Sequence, residues 1–200
     1  MKLKLLLIAF ILISSYTFSQ EKEDLFSMIE QDQKQIELLP EKMIFTQSLL
    51  WGKNGLLRKT GISPLNLENR EKELKIRKTM LTTHQAIGYL TLASMIAQGI
   101  IGGKLYNGDE SLRSTHNTMG KVVNIGYFTG AGLSLFSPPP LINKKVKGFN
   151  SIKAHKILAT VHFSAMIATN YYKDKNKSNH KAAAYTAFAS YATAVLVIKF

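Results

Sequence analysis

Long uncharged stretches set the pattern of this chain. They run from Gln85 to Gly103, Val122 to Ile142, Ile157 to Tyr172 and Ala182 to Ile198. A bilayer core of about 30 Å needs about 20 helical residues, with a range near 17–25. Two stretches meet that length directly. The other two reach it when the polar residues at their ends sit in the headgroup layer. Residues 81–200 therefore predict four membrane-spanning helices joined by short loops.

The N-terminal pattern is different. Lys2 and Lys4 make a basic start, Leu5 to Ile13 an apolar core, and Thr17-Phe18-Ser19 a small-x-small cleavage site. This reads as a secretory signal peptide over 1–19, the alternative being an uncleaved anchor helix. Either places residues 20–80 on the exported face. That segment is polar and helical in pattern. A weak amphipathic helix is expected from Glu21 to Leu39. An interfacial helix is expected within Lys42–Leu57, carrying Trp51 beside Gly52-Lys53-Asn54-Gly55. A charged helix over Glu68–Met80, with Glu71 and Lys75 as an i,i+4 pair, leads into the first span. The segment reads as a surface cap rather than a partner-docking arm. The predicted fold class is all-α: a membrane four-helix bundle built from a duplicated helical hairpin, preceded by a signal peptide and a helical exported segment.

The net charge of +13 changes little in this picture. Residues 20–83 carry 11 Lys/Arg against 10 Asp/Glu. The excess therefore lies in the loops and helix ends further on, such as Lys144, Lys145 and Lys147, or Lys173, Lys175 and Lys177. Basic residues there contact lipid phosphates, so lipid is the expected partner and nucleic acid is not. The positive-inside rule gives no support to the topology set by the export signal, which is followed because it acts first. The expected location is a bacterial inner membrane, crossed several times. With no cysteine, disulfides, thiolate metal sites, iron–sulfur clusters and covalently attached c-type haem are excluded.

The histidines carry the candidate chemistry. There are five. His84 opens the first span, His116 the second, His155 the third and His180 the fourth; His162 lies seven residues past His155 on the same helical face. An internal repeat underlies this placing. The run HQAIGYLTLASMIA from His84 matches HKILATVHFSAMIA from His155, with Met-Ile-Ala at the same offset. Tyr127 and Thr129 stand to His116 as Tyr191 and Thr193 stand to His180. A hairpin used twice in one orientation implies a pseudo-two-fold axis along the membrane normal. Alternating helix direction then puts His84 and His155 at one face and His116 and His180 at the other.

Two imidazoles at each face suit two haem irons, each held axially by a histidine pair with no open position, as electron transfer requires. Glycines such as Gly88, Gly99, Gly120, Gly126, Gly130 and Gly132 leave room for flat macrocycles, although small residues also permit close helix packing without a cofactor. Lys121, Lys156 and Lys181 lie near helix ends, where propionates would point. His162 is either an additional site residue or a replacement for His155; its repeat partner is Thr91, which favours His155 as the ligand. The other readings are a structural or scaffolding membrane protein with interfacial histidines, and a metal-handling membrane protein. Carboxylates are nearly absent from the spans, which disfavours the latter.

The motifs His84-Gln-Ala-Ile-Gly88, His116-Asn-Thr-Met-Gly120, His155-Lys-Ile-Leu-Ala159 and His180-Lys-Ala-Ala-Ala184 together resemble the cytochrome b561 family. The resemblance covers residues 81–200. It implies a four-helix core in which alternate helices pair to hold two b haems on opposite sides of the membrane, with His84 and His155 ligating one and His116 and His180 the other. The expected activity is transmembrane electron transfer, as a carrier or as the membrane subunit of an oxidoreductase. A quinol or a redox protein would be donor or acceptor, and a homodimer is compatible. The family's ascorbate-site motif is not recognised here, and the exported segment lacks the β pattern of a DOMON domain.

Overall fold

A computed structural model describes residues 37–141 and 150–199. The signal segment, nearly all of the Glu21–Leu39 helix and the basic loop at Lys144–Lys147 lie outside these. The compact unit that holds the helices begins at Leu38. Among the described residues every regular element is helical: α1 (Phe45–Trp51), α2 (Leu56–Lys59), α3 (Leu67–Tyr106), a 3₁₀ turn at Glu110–Leu112, α4 (Arg113–Leu135), α5 (Ser151–Tyr172) and α6 (Lys177–Lys199).

Local chemistry explains the boundaries. Three long helices open on an asparagine whose side chain accepts from the backbone N–H three residues on: Asn66 from Asn69, Asn150 from Lys153 and Asn176 from Asn179, at 2.8–2.9 Å. The stop of α4 is set by Pro138, Pro139 and Pro140, which lack N–H donors and disfavour helical backbone in the residue before them. The uncharged stretch to Ile142 is therefore not one helix; it ends at Leu135 and continues as an irregular loop. Likewise the helix expected within Lys42–Leu57 is broken at Gly52–Gly55 into α1 and α2. There the chain passes so close that a Cβ on Gly55 would lie 2.6 Å from the Leu50 carbonyl oxygen.

The four long helices form two antiparallel hairpins, α3 with α4 and α5 with α6, and α3 also packs on α6. The ring of neighbours closes between α4 and α5. Asn170 Nδ2 donates to Asn124 Oδ1 at 2.7 Å, and the rings of Phe128 and Phe163 meet edge to face. The sequence repeat is also a packing repeat. Met95 and Met166 are both buried in the core, and Tyr127 and Tyr191 touch each other with ring centroids 5.7 Å apart.

The apolar residues are distributed inside out. Large hydrophobic side chains point outward from all four helices, including Leu90 and Ile100, Ile125, Ile157 and Ile167, and Leu196. The buried set instead includes Thr91, Ser190 and many small residues. So large an exposed apolar surface marks a protein or membrane interface. Helices α3 and α6 are long and apolar enough to cross a membrane. Helices α4 and α5, of 23 and 22 residues, have the length, about 33–35 Å, but not the same apolar density. Their inward faces carry His116, Asn124, His155, His162 and Asn170, and α4 adds four glycines.

Helix α3 has 40 residues and so spans about 60 Å, far more than a bilayer core. It runs without a break from the charged stretch at Glu68–Met80 into the first uncharged stretch. Its first turns are clamped by a cap. Arg70 and Glu73 are buried, as are Ser137, Pro138 and Pro139 of the loop after α4. Glu73 binds both Arg58 and Arg70 and accepts from Ser63. Arg70 also donates to the carbonyls of Leu38 at 2.7 Å and Pro139 at 3.1 Å, and Arg77 donates to that of Pro138 at 2.7 Å. Trp51 Nε1 donates to Phe136 O at 3.0 Å. The cap reading of this segment holds, and the proline loop is what it grips. The expected Glu71–Lys75 pair forms at 2.7 Å but is exposed and adds little.

Burial pushes the Glu73 carboxyl up, but the hydrogen bonds from Arg58, Ser63 and Arg70 outweigh it and hold the group below its usual value of 4.5. The stabilisation is thus present above that value and lost as pH falls through the lower, folded one. Glu73→Gln should abolish this acid dependence. Glu73→Ala, which strands two buried arginines, should cost about 3–5 kcal/mol. Protease susceptibility of the cap across pH is the measurement; equal sensitivity of wild type and Glu73→Gln would refute the assignment.

Candidate functional site

His116, His155 and His180 lie in the first turns of α4, α5 and α6, His84 lies midway along α3, and each meets its hairpin partner at a fixed place. His84 Nδ1 lies 2.8 Å from the carbonyl oxygen of Gly130, fourteen residues past His116. His155 Nδ1 lies 2.9 Å from that of Ala194, fourteen past His180. His180 Nδ1 lies 2.9 Å from that of Thr169, fourteen past His155. His116 faces Gln98, fourteen past His84. Fourteen residues make nearly four helical turns, so each contact point lies on the same face as that helix's own histidine.

The partner decides the tautomer. A carbonyl oxygen only accepts, so the proton of His84, His155 and His180 is on Nδ1, and Nε2 of the neutral ring is a bare donor nitrogen. This is the arrangement found behind metal-ligating histidines, where the second nitrogen is fixed by a carbonyl or carboxylate. His116 differs. The Gln98 amide nitrogen stands 3.3 Å from His116 Nε2 and 3.1 Å from the His116 carbonyl oxygen. An amide nitrogen only donates, so His116 too is protonated on Nδ1. That Nδ1–H is buried with no partner, as is the Gln98 amide oxygen.

Across the bundle His116 and His180 meet, with ring centroids 6.2 Å apart and planes at 82°. His84 and His155 stand at the other layer, each held by its own hairpin partner. The two layers are about 21 Å apart, since fourteen residues at 1.5 Å separate them along α4 and again along α6. Between them sits an aromatic partition. The Tyr127 hydroxyl and His162 Nδ1 share a hydrogen bond of 2.5 Å, His162 packs on Tyr191 at 5.0 Å, and the Tyr191 hydroxyl donates to Gly88 O at 3.2 Å. His162 is thus tied to Tyr127, not to the carbonyl of α6 that His155 uses.

Of the lysines at the helix ends, Lys121 and Lys156 are exposed. Lys181 Nζ lies 3.9 Å from the centre of the Tyr106 ring. The residues that sequence reasoning missed are Gln98, Thr169, Gly130 and Ala194. Their signal is the common offset of fourteen, which is visible only once hairpin register is known.

Among the described residues no cluster of three or more His, Cys, Asp or Glu side chains could hold a metal ion alone. Each site offers two imidazoles, which suits a cofactor that brings its remaining ligands with it. Comparison with family models, curated proteins and solved structures finds no match.

Close approach at Gly102 makes the site testable without any ligand. A Cβ there would lie 2.8 Å from His116 Cε1, whereas nothing comes within 4 Å of one on Gly99. Gly102→Ala should destabilise the helices by about 1–3 kcal/mol through overpacking, and Gly99→Ala should not. Thermal unfolding in detergent decides it; equal midpoints for the two variants would mean that His116 does not sit where described.

Proposed function

We propose that the chain is a four-span membrane protein of the di-haem b-type cytochrome class, carrying electrons between the two faces of the membrane. The observation that carries this reading is the shared geometry of the four histidines: one per helix, paired across the bundle in two layers, each addressed to the same position of its hairpin partner. An interfacial histidine needs no such register. The resemblance to the cytochrome b561 family points the same way, and the outward apolar faces of all four helices support four spans.

The spacing of the His116–His180 pair is compatible with haem. Metal–imidazole bonds are about 2.0–2.1 Å, and the centre of a five-membered ring lies about 1.1 Å from its own nitrogen. Two axial imidazoles on one iron therefore put their ring centroids about 6.2–6.4 Å apart, against the 6.2 Å between His116 and His180. In the ring orientations described, His116 Nε2 is engaged by Gln98, so the match is one of spacing, and ligation needs that ring to turn. His84 and His155 would hold one haem b, and His116 and His180 the other. When bound, each haem supplies a one-electron store with no open coordination position. The chain's own part is to fix the ligand tautomers, keep the two layers about 21 Å apart, and exclude water with the Tyr127–His162–Tyr191 partition. A quinol or a redox protein is the electron partner at either face. Residues 20–80 lie on the exported face, and the C-terminus would be exported too, so a reporter after Phe200 should be active outside the cytoplasm.

Purified protein, expressed with ample haem, should show the sharp reduced-minus-oxidised bands of six-coordinate b haem at two per chain. His84→Ala and His155→Ala should each remove one haem, and His116→Ala and His180→Ala the other. His162→Ala should keep both. Protein that folds and binds no haem would sink the reading. A common haem lost in His84→Ala and His116→Ala would overturn the pairing alone.

A further inference from the structure

The offset rule has one exception, and it leaves two complementary atoms stranded together. Three histidines give their Nδ1–H to a backbone carbonyl fourteen residues past the histidine of the neighbouring helix. At the fourth position stands Gln98. Its amide nitrogen takes up His116 Nε2 and the His116 carbonyl, while its amide oxygen and His116 Nδ1 are buried and unpartnered. One is an acceptor without a donor and the other a donor without an acceptor. Leaving two such groups unpaired is unfavourable, and burial in low dielectric raises the stakes. The surroundings are cut to admit this amide. A Cβ on Gly120 would come within 3.2 Å of the Gln98 amide nitrogen, and one on Gly102 would meet the His116 ring.

Resting on the haem reading above, we propose that Gln98 is a positioning residue for His116. Turning the imidazole so that its Nδ1–H faces the Gln98 amide oxygen satisfies both orphans and frees Nε2 to face His180. The side-chain amide then does for His116 what backbone carbonyls do for His84, His155 and His180. A hydrogen bond at Nδ1 raises the basicity of the ligating nitrogen. A more basic axial ligand favours ferric over ferrous iron and lowers the midpoint potential. Of the four ligands, His116 alone has this donor strength set by a side chain. The potential of the haem held by His116 and His180 is therefore tunable by a single residue, whereas that of the other haem depends on backbone.

Redox titration of the full-length holoprotein, with the haems told apart by the His84→Ala and His180→Ala spectra, tests this. Gln98→Leu keeps the bulk and removes the acceptor. It should raise the potential of the His116/His180 haem so that its ferrous-to-ferric ratio at fixed ambient potential grows about tenfold, or about 59 mV for one electron, and leave the other haem unmoved. Loss of that haem alone in Gln98→Leu has the same meaning, because a ligand without its orienting bond binds iron more weakly. Thr169→Leu is the matched control. It occupies the equivalent position, but there the backbone carbonyl is the acceptor, so no shift is expected. Equal shifts in Gln98→Leu and Thr169→Leu, or no shift in Gln98→Leu with both haems retained, would overturn the role of Gln98 and leave the haem reading standing. Absence of haem from the wild type overturns both.

Discussion

The register between the two helices of each hairpin is the constraint on which the rest depends. In an antiparallel pair, one contact fixes the level of every other residue. Here the His84 link to Gly130 levels one end of the first hairpin, and the His116 contact with Gln98 levels the other end. The second hairpin repeats both with His155 and Ala194, and His180 and Thr169. A shift of one residue would turn each contact point about 100° away from its histidine. Three of the four histidines spend Nδ1 on register and leave Nε2 unspent, while His116 meets Gln98 through Nε2. That division also explains why ordinary packing groups fill the middle of the bundle. Met95, Met166, Tyr127 and Tyr191 hold the layers apart, and the sites are left to the ends.

The N-terminal cap solves a different problem. A 40-residue helix is longer than a bilayer core, and the charged side chains of its first turns alone would not fix its direction. The cluster of Arg58, Arg70 and Glu73 stays buried because its main partners come from different parts of the chain: the Trp51 and Leu38 carbonyls, Ser63, and the proline loop after α4. A buried carboxylate with two guanidinium partners contributes less by strength than by leaving no cheaper arrangement. The loop must be proline-rich for this. Its carbonyls are free of any helix and point at arginines, and it supplies few N–H groups that burial would strand.

Much of this was legible in the sequence, and the parts that were not share a cause. Helix positions follow from the apolar runs, and the four histidines stood out because each opens an uncharged stretch. The repeat gave the pairing by face. The turn residues at Gly52-Lys53-Asn54-Gly55 and Ser137-Pro138-Pro139-Pro140 are visible in the sequence. What those turns pack against is not local, and composition does not record it. Arg70 and Glu73 read as ordinary charges of an exposed helix, because the proline loop that Arg70 grips lies 69 positions away. Gln98 was invisible for the same reason. It is an unremarkable polar residue in an apolar run until hairpin register sets it opposite His116.

His162 shows how the repeat and its departures divide the labour. Its counterpart by repeat is Thr91, and both lie at the level of the tyrosine of the neighbouring hairpin. Tyr127 reaches His162 in α5, and Tyr191 reaches α3 at Gly88. The two halves have kept the tyrosine and diverged in what it meets. In the first hairpin the close packing of Gly126 against Thr91, where a Cβ would lie 2.6 Å from the hydroxyl, excludes an imidazole. In the second, the wider space takes one. A duplicated bundle that held identical residues at this level would crowd two large rings into one plane at its own axis. One imidazole and one threonine instead let two tyrosines meet there at 5.7 Å and close the partition. The asymmetry at His162 is therefore a packing requirement of the two-fold arrangement, and it needs no ligand role to explain it.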